Sequence, residues 1–458
     1  MIKIHTSYNK IFSFSGILLT TLGILLITPI SQVKTVTVNG GAQNSLVNVK
    51  KVEIVRQNEE QGEVTLRVKV SSDNKPIMAL KKEDFELKVV DTNTKKLVSP
   101  FEPDNGYSDI RFNFKTPQEA TPPPAYILVL LDMSGSMKCS TDLNSKESCN
   151  NNISKGKRKL DAAVSALQTF IDDAQKRQEK RGGDTNVAII PFGFNGEYQP
   201  IRKVDELDKF YKVSDFKVKK ALDDLALKTP RDATNIYHSL EKSVEFLANT
   251  GDKRFYPVDD KGNVIEPKPR LAVILLTDGF DTDPDYKNNR QKQSETLNTL
   301  KQKLRDNDQL TIHTLGYGLT PNVLQKKYAG QSISQADYEQ EYLDVDGLKQ
   351  ISQVTPNGIF AISGKEDDIS KALATFLDSI LGEYEIIYQH PNPQRARVYQ
   401  VSTVADKVAS QPEEYRVTVF GRTVSFPTYL GSVGLIAMLA GCWFIPYTLW
   451  KKKLQEEN

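Results

Sequence analysis

The chain has 458 residues, which is enough for roughly two to three domains. Its 60 basic and 58 acidic residues leave a net charge of +2, and the Lys and Arg residues are scattered along the chain. A nucleic-acid-binding protein would carry a basic domain or stripe, so the charge pattern argues against nucleic acid as a partner. Glycine, proline and apolar residues occur at ordinary levels, which excludes a largely disordered chain.

Both ends of the chain are apolar. Residues 11–30 (IFSFSGILLTTLGILLITPI) follow Lys3 and Lys10, and residues 428–450 run directly into three lysines, Lys451–Lys453. Each segment has the ~20 residues that cross a hydrocarbon core as a helix, and flanking lysines favour the cytoplasmic side. We therefore expect a signal peptide or N-terminal membrane anchor over 1–31, a transmembrane helix over 428–450 and a cytoplasmic tail over 451–458.

The region between the two apolar segments lies outside the cytoplasm under either alternative for the first segment, which predicts a plasma-membrane protein with one or two spans. Cys139 and Cys149 bracket the stretch CSTDLNSKESC. In an oxidising compartment such a pair usually joins, so we expect a disulfide, the alternative being two unrelated thiols. Cys442 lies inside the C-terminal apolar segment and is expected to be a small apolar residue.

Strand-like patterns flank the middle of the chain. Short β-rich runs such as EVTLRVKVSS and EDFELKVVDT predict a β-sandwich-like domain over 45–118, followed by a proline-rich linker over 119–125. Similar runs return over 382–426, ahead of the C-terminal span. These later strands either complete the first sandwich, with the intervening segment inserted, or form a separate membrane-proximal stalk, and the sequence leaves both alternatives open.

Residues 126–381 show a different period. Four near-continuous apolar runs, AYILVLLD, NVAIIPFGF, RLAVILLTDG and QLTIHTLGYG, alternate with helical stretches. This pattern indicates an α/β domain whose mostly parallel sheet is covered on both faces. Ligand sites in such sheets lie at the carboxyl ends of the strands, and Asp132 and Asp278 both lie at such ends.

Three distant segments carry small oxygen-bearing side chains. DMSGSM contains Asp132, Ser134 and Ser136, TPRDATNIYHSL contains Thr234, and LLTDGFDTD contains Asp278. Taken alone, Ser and Thr at helix starts are usually caps, and Asp-Gly after a strand is usually a turn. Together they offer two carboxylates and three hydroxyls, which suit a hard divalent cation such as Mg²⁺ and leave a coordination position open.

These motifs together resemble the metal-ion-dependent adhesion site of von Willebrand factor type A (VWA) domains. LVLLDMSGSM is similar to the family's D-x-S-x-S motif, Thr234 matches its threonine motif, and Asp278 matches its third motif. The resemblance covers roughly residues 125–380, and the preceding β-rich segment looks like the β-domain before this module in some bacterial membrane proteins. It implies a doubly wound sheet with one Mg²⁺ (or Mn²⁺ or Ca²⁺) held by Asp132, Ser134, Ser136, Thr234 and Asp278.

The resemblance also implies a protein ligand that completes the coordination with an Asp or Glu carboxylate. Two departures from the family pattern matter here. Many members place glycines before the threonine, where this chain has Asp232-Ala233, and we interpret Asp232 as a turn residue rather than a hydrogen-bond acceptor behind the ligands. Cys139 and Ser140 stand where integrin β subunits carry acidic residues for a neighbouring ion, so a single ion is expected.

The sequence gives little support for catalysis. It contains four histidines but no GxSxG, HExxH or Walker A pattern, and His313 is expected to be packed in a strand. We therefore expect a non-enzymatic, membrane-embedded, extracytoplasmic VWA domain protein that binds a protein ligand for adhesion or complex assembly. The alternative is an accessory or chaperone-like subunit of a membrane complex, or the substrate adaptor of an ATPase.

Overall fold

The computed structural model gives the fold of the chain between residues 49 and 456. It describes residues 49–60, 62–99, 106–141, 158–262, 264–265, 267–305, 307, 309–327, 329, 342–363, 366–391, 397–417 and 426–456. The predicted N-terminal segment 1–31 and Cys149 lie outside the described residues, so both predictions attached to them stay predictions.

The first strands alternate less exposed and more exposed side chains. They are β1 (Lys51–Glu60), β2 (Glu63–Ser72), β3 (Lys75–Pro76), β4 (Phe85–Asp91) and β5 (Phe112–Lys115). In β2 the buried residues are Val64, Leu66, Val68 and Val70. A period of two is typical of a strand with one face on a core and the other towards water, which is why this region is strand-like in sequence.

A six-stranded sheet forms the middle of the chain. Its strands are β6 (Ala125–Asp132), β7 (Thr185–Phe192), β8 (Tyr211–Lys212), β9 (Arg270–Thr277), β10 (Leu310–Tyr317) and β11 (Phe360–Ser363), in the order β11-β10-β9-β6-β7-β8. Neighbouring strands are parallel except β7 and β8, which are antiparallel.

Helices connect and cover these strands. They are α1 (Lys159–Arg181), α2 (Phe216–Ala226), α3 (Ile236–Leu247), α4 (Arg290–Lys303), α5 (Pro321–Lys327), α6 (Val345–Ser352) and α7 (Glu366–Leu381). Alternate residues of β6 enter two different apolar clusters: Ile127 and Val129 join one with α1, α2 and α7, while Leu128 and Leu130 join another with α3, α4 and α6. Because both faces are covered, these strands are apolar along their whole length.

The strands after α7 pair with the first strands of the chain. They are β12 (Tyr384–Gln389), β13 (Val398–Ala405), β14 (Val408–Ala409) and β15 (Glu413–Arg416). β12 lies between β2 and β5, and β13 pairs with β4, β14 and β15, all antiparallel. The two sheets share one apolar core. The sequence left two alternatives open for these strands. Their pairing with β2, β4 and β5 corresponds to the first, in which the C-terminal strands complete the β region and the α/β region is inserted.

The fold is therefore mixed α/β, with parallel and antiparallel strands, and at this level the predicted fold class is confirmed. The last helix, α8 (Phe426–Glu456), contains the 24-residue stretch Leu430–Lys453, which includes an 18-residue window with a mean hydropathy of 1.6 and no burial. Within the described part of the chain it is the one helix long and apolar enough to cross a membrane by length and composition.

Candidate metal centre

The predicted oxygen ligands lie where two neighbouring parallel strands end. Asp132 is the last residue of β6, and Asp278 directly follows the last residue of β9. Since β6 and β9 pair in parallel, their carboxyl ends meet at the same edge of the sheet. Ser134 and Ser136 follow β6 in a turn whose 3₁₀ segment is Gly135–Lys138.

A chain of hydrogen bonds joins four of the five predicted ligands. The Ser134 amide donates to Asp132 Oδ1 at 2.8 Å, and the hydroxyl oxygens of Ser134 and Ser136 lie 2.9 Å apart. The Ser136 hydroxyl donates to Asp278 Oδ1 at 2.6 Å, and the Thr277 hydroxyl donates to Asp132 Oδ2 at 2.5 Å. The two strand ends and the serine turn therefore form one contact network.

Thr234, the fifth predicted ligand, reaches the same place from a third segment. Together with Ser134 and Ser136 it lines a cavity of about 360 Å³. Its backbone is fixed by Thr282, whose hydroxyl accepts from the Thr234 amide at 2.8 Å and whose amide donates to the Thr234 carbonyl at 2.9 Å. The cap position of α3 is occupied by Asn235, so the Thr234 side chain does not cap that helix.

The Thr234 hydroxyl differs from the other hydroxyls of this site because it has no hydrogen-bond partner among the described residues. The residue is buried, yet its hydroxyl makes no hydrogen bond with any residue that the structure describes. A hydroxyl of a cavity-lining residue that has no partner in the protein is available to bind a ligand or water there. The donor chemistry, two carboxylates and three hydroxyls, fits a hard divalent cation, for which oxygen is the preferred ligand atom.

The two carboxylates carry more negative charge than their surroundings balance. Asp132 and Asp278 are both fully buried. Burial, reinforced by the charge of Asp278, raises the pKa of Asp132 to about 7, although hydrogen bonds from Thr277 and Ser134 act in the opposite direction. The Lys159 ammonium, only 2% exposed, lies 2.6 Å from Asp278 Oδ2 and balances one of the two charges.

Side chains of the usual metal-binding types do not form a cluster by themselves in the described part of the chain. Among the residues described by the structure, no three His, Cys, Asp or Glu side chains are arranged to hold a metal ion. A cation at this edge of the sheet would depend on the hydroxyls of Ser134, Ser136 and Thr234, in addition to the two aspartates.

Asp232 has a larger role than the turn residue that the sequence favoured. Its side chain accepts hydrogen bonds from the amides of Glu197 (2.6 Å) and Tyr198 (3.0 Å), and its carbonyl accepts from the Gly135 amide at 2.9 Å. A Cβ atom at Gly196 would collide with the Asp232 side chain, so glycine is required there for the close approach. The turn interpretation was wrong: Asp232 is a buried acceptor that holds the serine turn against a neighbouring loop.

Three further residues of the site carried no clear signal in the sequence. Thr277 could have been found from its place at the strand end, immediately before Asp278. Asp281 accepts from the Tyr237 amide at 2.9 Å at the start of α3, and burial raises its pKa to about 7. Lys159 begins α1, where a lysine is usually solvated, so its burial could not be predicted from local pattern.

Cys139 closes the serine turn. It is fully buried and disulfide-bonded, and its carbonyl accepts from the Lys159 amide at 2.8 Å. The predicted pairing with Cys149 remains a prediction, because Cys149 lies outside the described residues. Cys442 is a free, exposed cysteine on α8.

His313 is a packed strand residue remote from this cavity. It is fully buried on β10, its Nδ1 accepts from the Ile359 amide at 3.1 Å, and its ring lies 4.8 Å from that of Phe376. Burial lowers its pKa to about 3, so the imidazole is neutral at physiological pH.

Comparison with known proteins gives weak likenesses. No family model and no curated protein matches the sequence. Among solved structures, the chain is similar to the pilus adhesin SpaC from Lactobacillus rhamnosus GG, with a TM-score of 0.36 and 13% identity, over 80% of this chain and 47% of the adhesin. It is also similar to the TFIIH p34 N-terminal domain, with a TM-score of 0.30 and 12% identity, over 55% of this chain and 96% of that domain. This chain thus spans about half of the adhesin, and at these TM-scores neither likeness bears on its fold family or function.

Proposed function

We propose that the chain is a membrane-anchored VWA-type protein that binds a protein ligand through a divalent cation. One observation carries this proposal: side chains from three distant segments converge on one cavity at the carboxyl ends of β6 and β9. The six-stranded sheet with helices on both faces supports a doubly wound arrangement of the VWA type. Sites at strand ends are also where such sheets bind their ligands.

The five predicted ligands have separate roles in this proposal, in which Ser134, Ser136 and Thr234 line the cavity and the two aspartates lie beside them. Ser134, Ser136 and Thr234 would supply hydroxyl oxygens, while Asp132 and Asp278 would supply charge, directly or through water. These residues would hold Mg²⁺ (or Mn²⁺ or Ca²⁺), which would supply Lewis acidity towards an external carboxylate. The ligand would therefore be a protein that presents an Asp or Glu side chain.

The cavity also has room for more than an ion. Its volume of about 360 Å³ exceeds what a metal ion and one carboxylate fill, and Phe280 and Lys138 form part of its wall. An apolar ring and a basic side chain beside the ion would contact residues that flank the acidic side chain of the ligand. This wall suits a protein ligand better than an isolated small anion.

The membrane arrangement belongs to the same proposal. The stretch Leu430–Lys453 would span the plasma membrane, and the lysines at its C-terminal end would lie at the cytoplasmic surface. The β region and the α/β region would then lie outside the cytoplasm, where the ligand is met. A disulfide at Cys139 is in keeping with an oxidising compartment.

Metal binding tests the proposal first. Full-length protein in detergent micelles is titrated with Mn²⁺, and free Mn²⁺ is measured by electron paramagnetic resonance. We expect one bound ion in the wild type, and at least about tenfold weaker binding in Ser136→Ala, whose hydroxyl would be a direct ligand in this proposal. Asp224→Ala, which changes a carboxylate that is 57% exposed on α2, is the matched control and should bind as the wild type does.

Ligand capture tests the second half. Membranes that carry the chain are cross-linked with and without EDTA, and co-purifying proteins are compared between wild type and Ser136→Ala. We expect capture that is lost both with chelator and in the variant. Capture that persists unchanged in EDTA, or a wild-type chain that binds no Mn²⁺, would overturn the proposal.

A further inference from the structure

Lys159 lies where a lysine is costly. It is the first residue of α1, where the helix dipole disfavours a positive charge, and only 2% of the residue is exposed. Lysine is almost never fully buried unless it is paired. Its position is nevertheless well defined, because its amide donates to the Cys139 carbonyl at 2.8 Å and its Nζ donates to Asp278 Oδ2 at 2.6 Å.

The two oxygens of Asp278 serve different neighbours. Oδ1 accepts from the Ser136 hydroxyl, which lines the cavity, and Oδ2 accepts from Lys159, which is not among the residues of the cavity wall. The ammonium therefore contacts the Asp278 oxygen that is not bonded to Ser136, and neither Lys159 nor Asp278 is part of the cavity wall. The ammonium contributes charge to the site without occupying the space of a ligand.

A charge count shows what this ammonium changes. When both carboxylates are ionised, as cation binding requires, Asp132 and Asp278 contribute two negative charges and Lys159 contributes one positive charge, so the buried network sums to −1. On the cavity wall, Asp232 and Lys138 carry opposite charges that cancel. With a divalent cation bound the network has a charge of +1, whereas without Lys159 it would be neutral.

We propose that Lys159 determines which ligand the cation-loaded site accepts. Its fixed charge leaves that site with a net positive charge, so the site recruits an anionic, carboxylate-bearing ligand in preference to a neutral carbonyl. The same charge repels the cation, so the site holds its ion less tightly than the two aspartates would hold it without the lysine. Lys159 is thus a positioning and specificity residue for the proposed function, on which this inference rests.

Neutral substitutions test this role with two readouts. Full-length wild type, Lys159→Met and Lys159→Gln are titrated with Mn²⁺ in detergent micelles. The Mn²⁺-loaded proteins are then titrated with acetate or acetamide, and displacement of Mn²⁺-bound water is followed by water-proton relaxation. We expect both variants to bind Mn²⁺ about tenfold more tightly and to need about tenfold more acetate, with the response to acetamide unchanged.

Two control variants separate charge from other effects. Lys159→Arg keeps the positive charge and should retain wild-type Mn²⁺ affinity and acetate preference. Lys219→Met removes a lysine that is 49% exposed and lies 2.7 Å from Asp172, and it should leave both readouts unchanged.

The outcomes distinguish this inference from the proposed function. Wild-type protein that binds no Mn²⁺ overturns both. Wild-type protein that binds Mn²⁺ while the neutral variants show unchanged Mn²⁺ affinity and unchanged acetate response overturns only the role of Lys159. If neither neutral variant folds, the wild type still decides, because loaded protein that takes acetamide as readily as acetate contradicts a charge-selected ligand.

Discussion

Two fully buried carboxylates lie at opposite ends of the central sheet, and their surroundings differ in sign. Asp132 ends β6 and accepts from the amide of Ser134, a residue of the cavity wall, while Glu383 contacts Arg270, the first residue of β9, at 2.7 Å. Burial favours the neutral acid at both positions. Beside Glu383 the charges of Arg270 and Lys69 outweigh burial and hold its pKa below the ordinary value, whereas burial and the charge of Asp278 raise the pKa of Asp132 to about 7.

The difference separates a structural cluster from a candidate binding site. Near Glu383 a second cavity, of about 340 Å³, has charged residues in its wall, where Lys51 pairs with Glu53 at 2.9 Å and Arg270 pairs with Glu383 at 2.7 Å. The protein itself balances the charges there. At the cavity beside Asp132 the carboxylates outnumber the cation that contacts them, and the Thr234 hydroxyl has no partner among the described residues. Burial alone therefore does not distinguish the two clusters, whereas the balance of charge does.

The largest effect should come from breaking the balanced cluster. In Arg270→Met the Glu383 carboxylate, with 1% of its side chain exposed, loses its guanidinium partner. We expect the free energy of unfolding to fall by about 3–5 kcal/mol, as measured by urea unfolding of the full-length protein. Arg254→Met removes an arginine that is 41% exposed and paired with Asp208, and it should cost about 1 kcal/mol or less. Equal losses in the two variants would contradict the contrast between buried and exposed pairs.

The pH dependence of stability should have opposite signs at the two ends. Because the pKa of Asp132 is raised from 3.8 to about 7 on folding, metal-free protein is stabilised at acid pH, and this contribution is lost as the pH rises through about 7. We expect that loss to be of the order of 2 to 4 kcal/mol relative to Asp132→Asn, which cannot titrate. The depressed pKa of Glu383 works in reverse: its contribution is present at neutral pH and lost as the pH falls.

The contribution of Asp132 is the difference in unfolding free energy between the wild type and Asp132→Asn. It is measured by thermal or urea unfolding between pH 4 and pH 8, with EDTA present. The two proteins should become more alike in stability below about pH 4, where the carboxyl is protonated in both the folded and the unfolded state. If the difference in unfolding free energy does not change with pH, the pKa of Asp132 is not raised on folding.

A smaller loss is expected when the unbalanced cluster loses Asp278. In Asp278→Asn the Lys159 ammonium stays buried without its carboxylate partner, but the remaining carboxylate of Asp132 lies in the same network. We expect the metal-free protein to lose about 2 kcal/mol of unfolding free energy. Asp378→Asn is the matched control, since Asp378 is 29% exposed and pairs with Arg177, and its cost should stay below about 1 kcal/mol.

The smallest effect on stability should come from Thr234. Its hydroxyl makes no hydrogen bond with the described residues, so Thr234→Val should change the free energy of unfolding by less than about 0.5 kcal/mol. The same variant should bind Mn²⁺ about tenfold more weakly or worse, because a ligand oxygen is lost. Thr277→Val is the opposite case: it breaks the 2.5 Å bond to Asp132 and should cost about 1–2 kcal/mol. If Thr234→Val is as destabilising as Thr277→Val, the Thr234 hydroxyl has a structural partner.

The sequence predicts where the candidate ligands lie better than it predicts the contacts around them. Asp132 and Asp278 follow strands whose apolar runs identify them, and parallel strands bring their ends together. Glu383 and Arg270 are 113 residues apart, and no local pattern links them. The burial of Lys159 could not be predicted either, because it depends on where α1 packs and not on the neighbours of Lys159 in the chain.

The pairing of the outer strands was open for a related reason. β12 has the alternation of any half-buried strand, and nothing in that period states which strand lies beside it. In the structure it lies between β2 and β5. Glu385 of β12 pairs with Lys115 of β5, which is 270 residues earlier in the chain (385 − 115). Long-range strand pairing is set by packing of the whole core and not by the local sequence.

That register has a consequence for how the molecule is built. Lys115 of β5 lies opposite Glu385 of β12 in antiparallel pairing, so the α/β region occupies the place of a hairpin turn. A short turn between these two strands would restore a continuous β-hairpin and delete the α/β region as a unit. Force applied through the proposed ligand at the cavity would therefore reach the β region through β5 and β12 together. The load would be shared by two paired strands of one sheet and would not pass through a single linker.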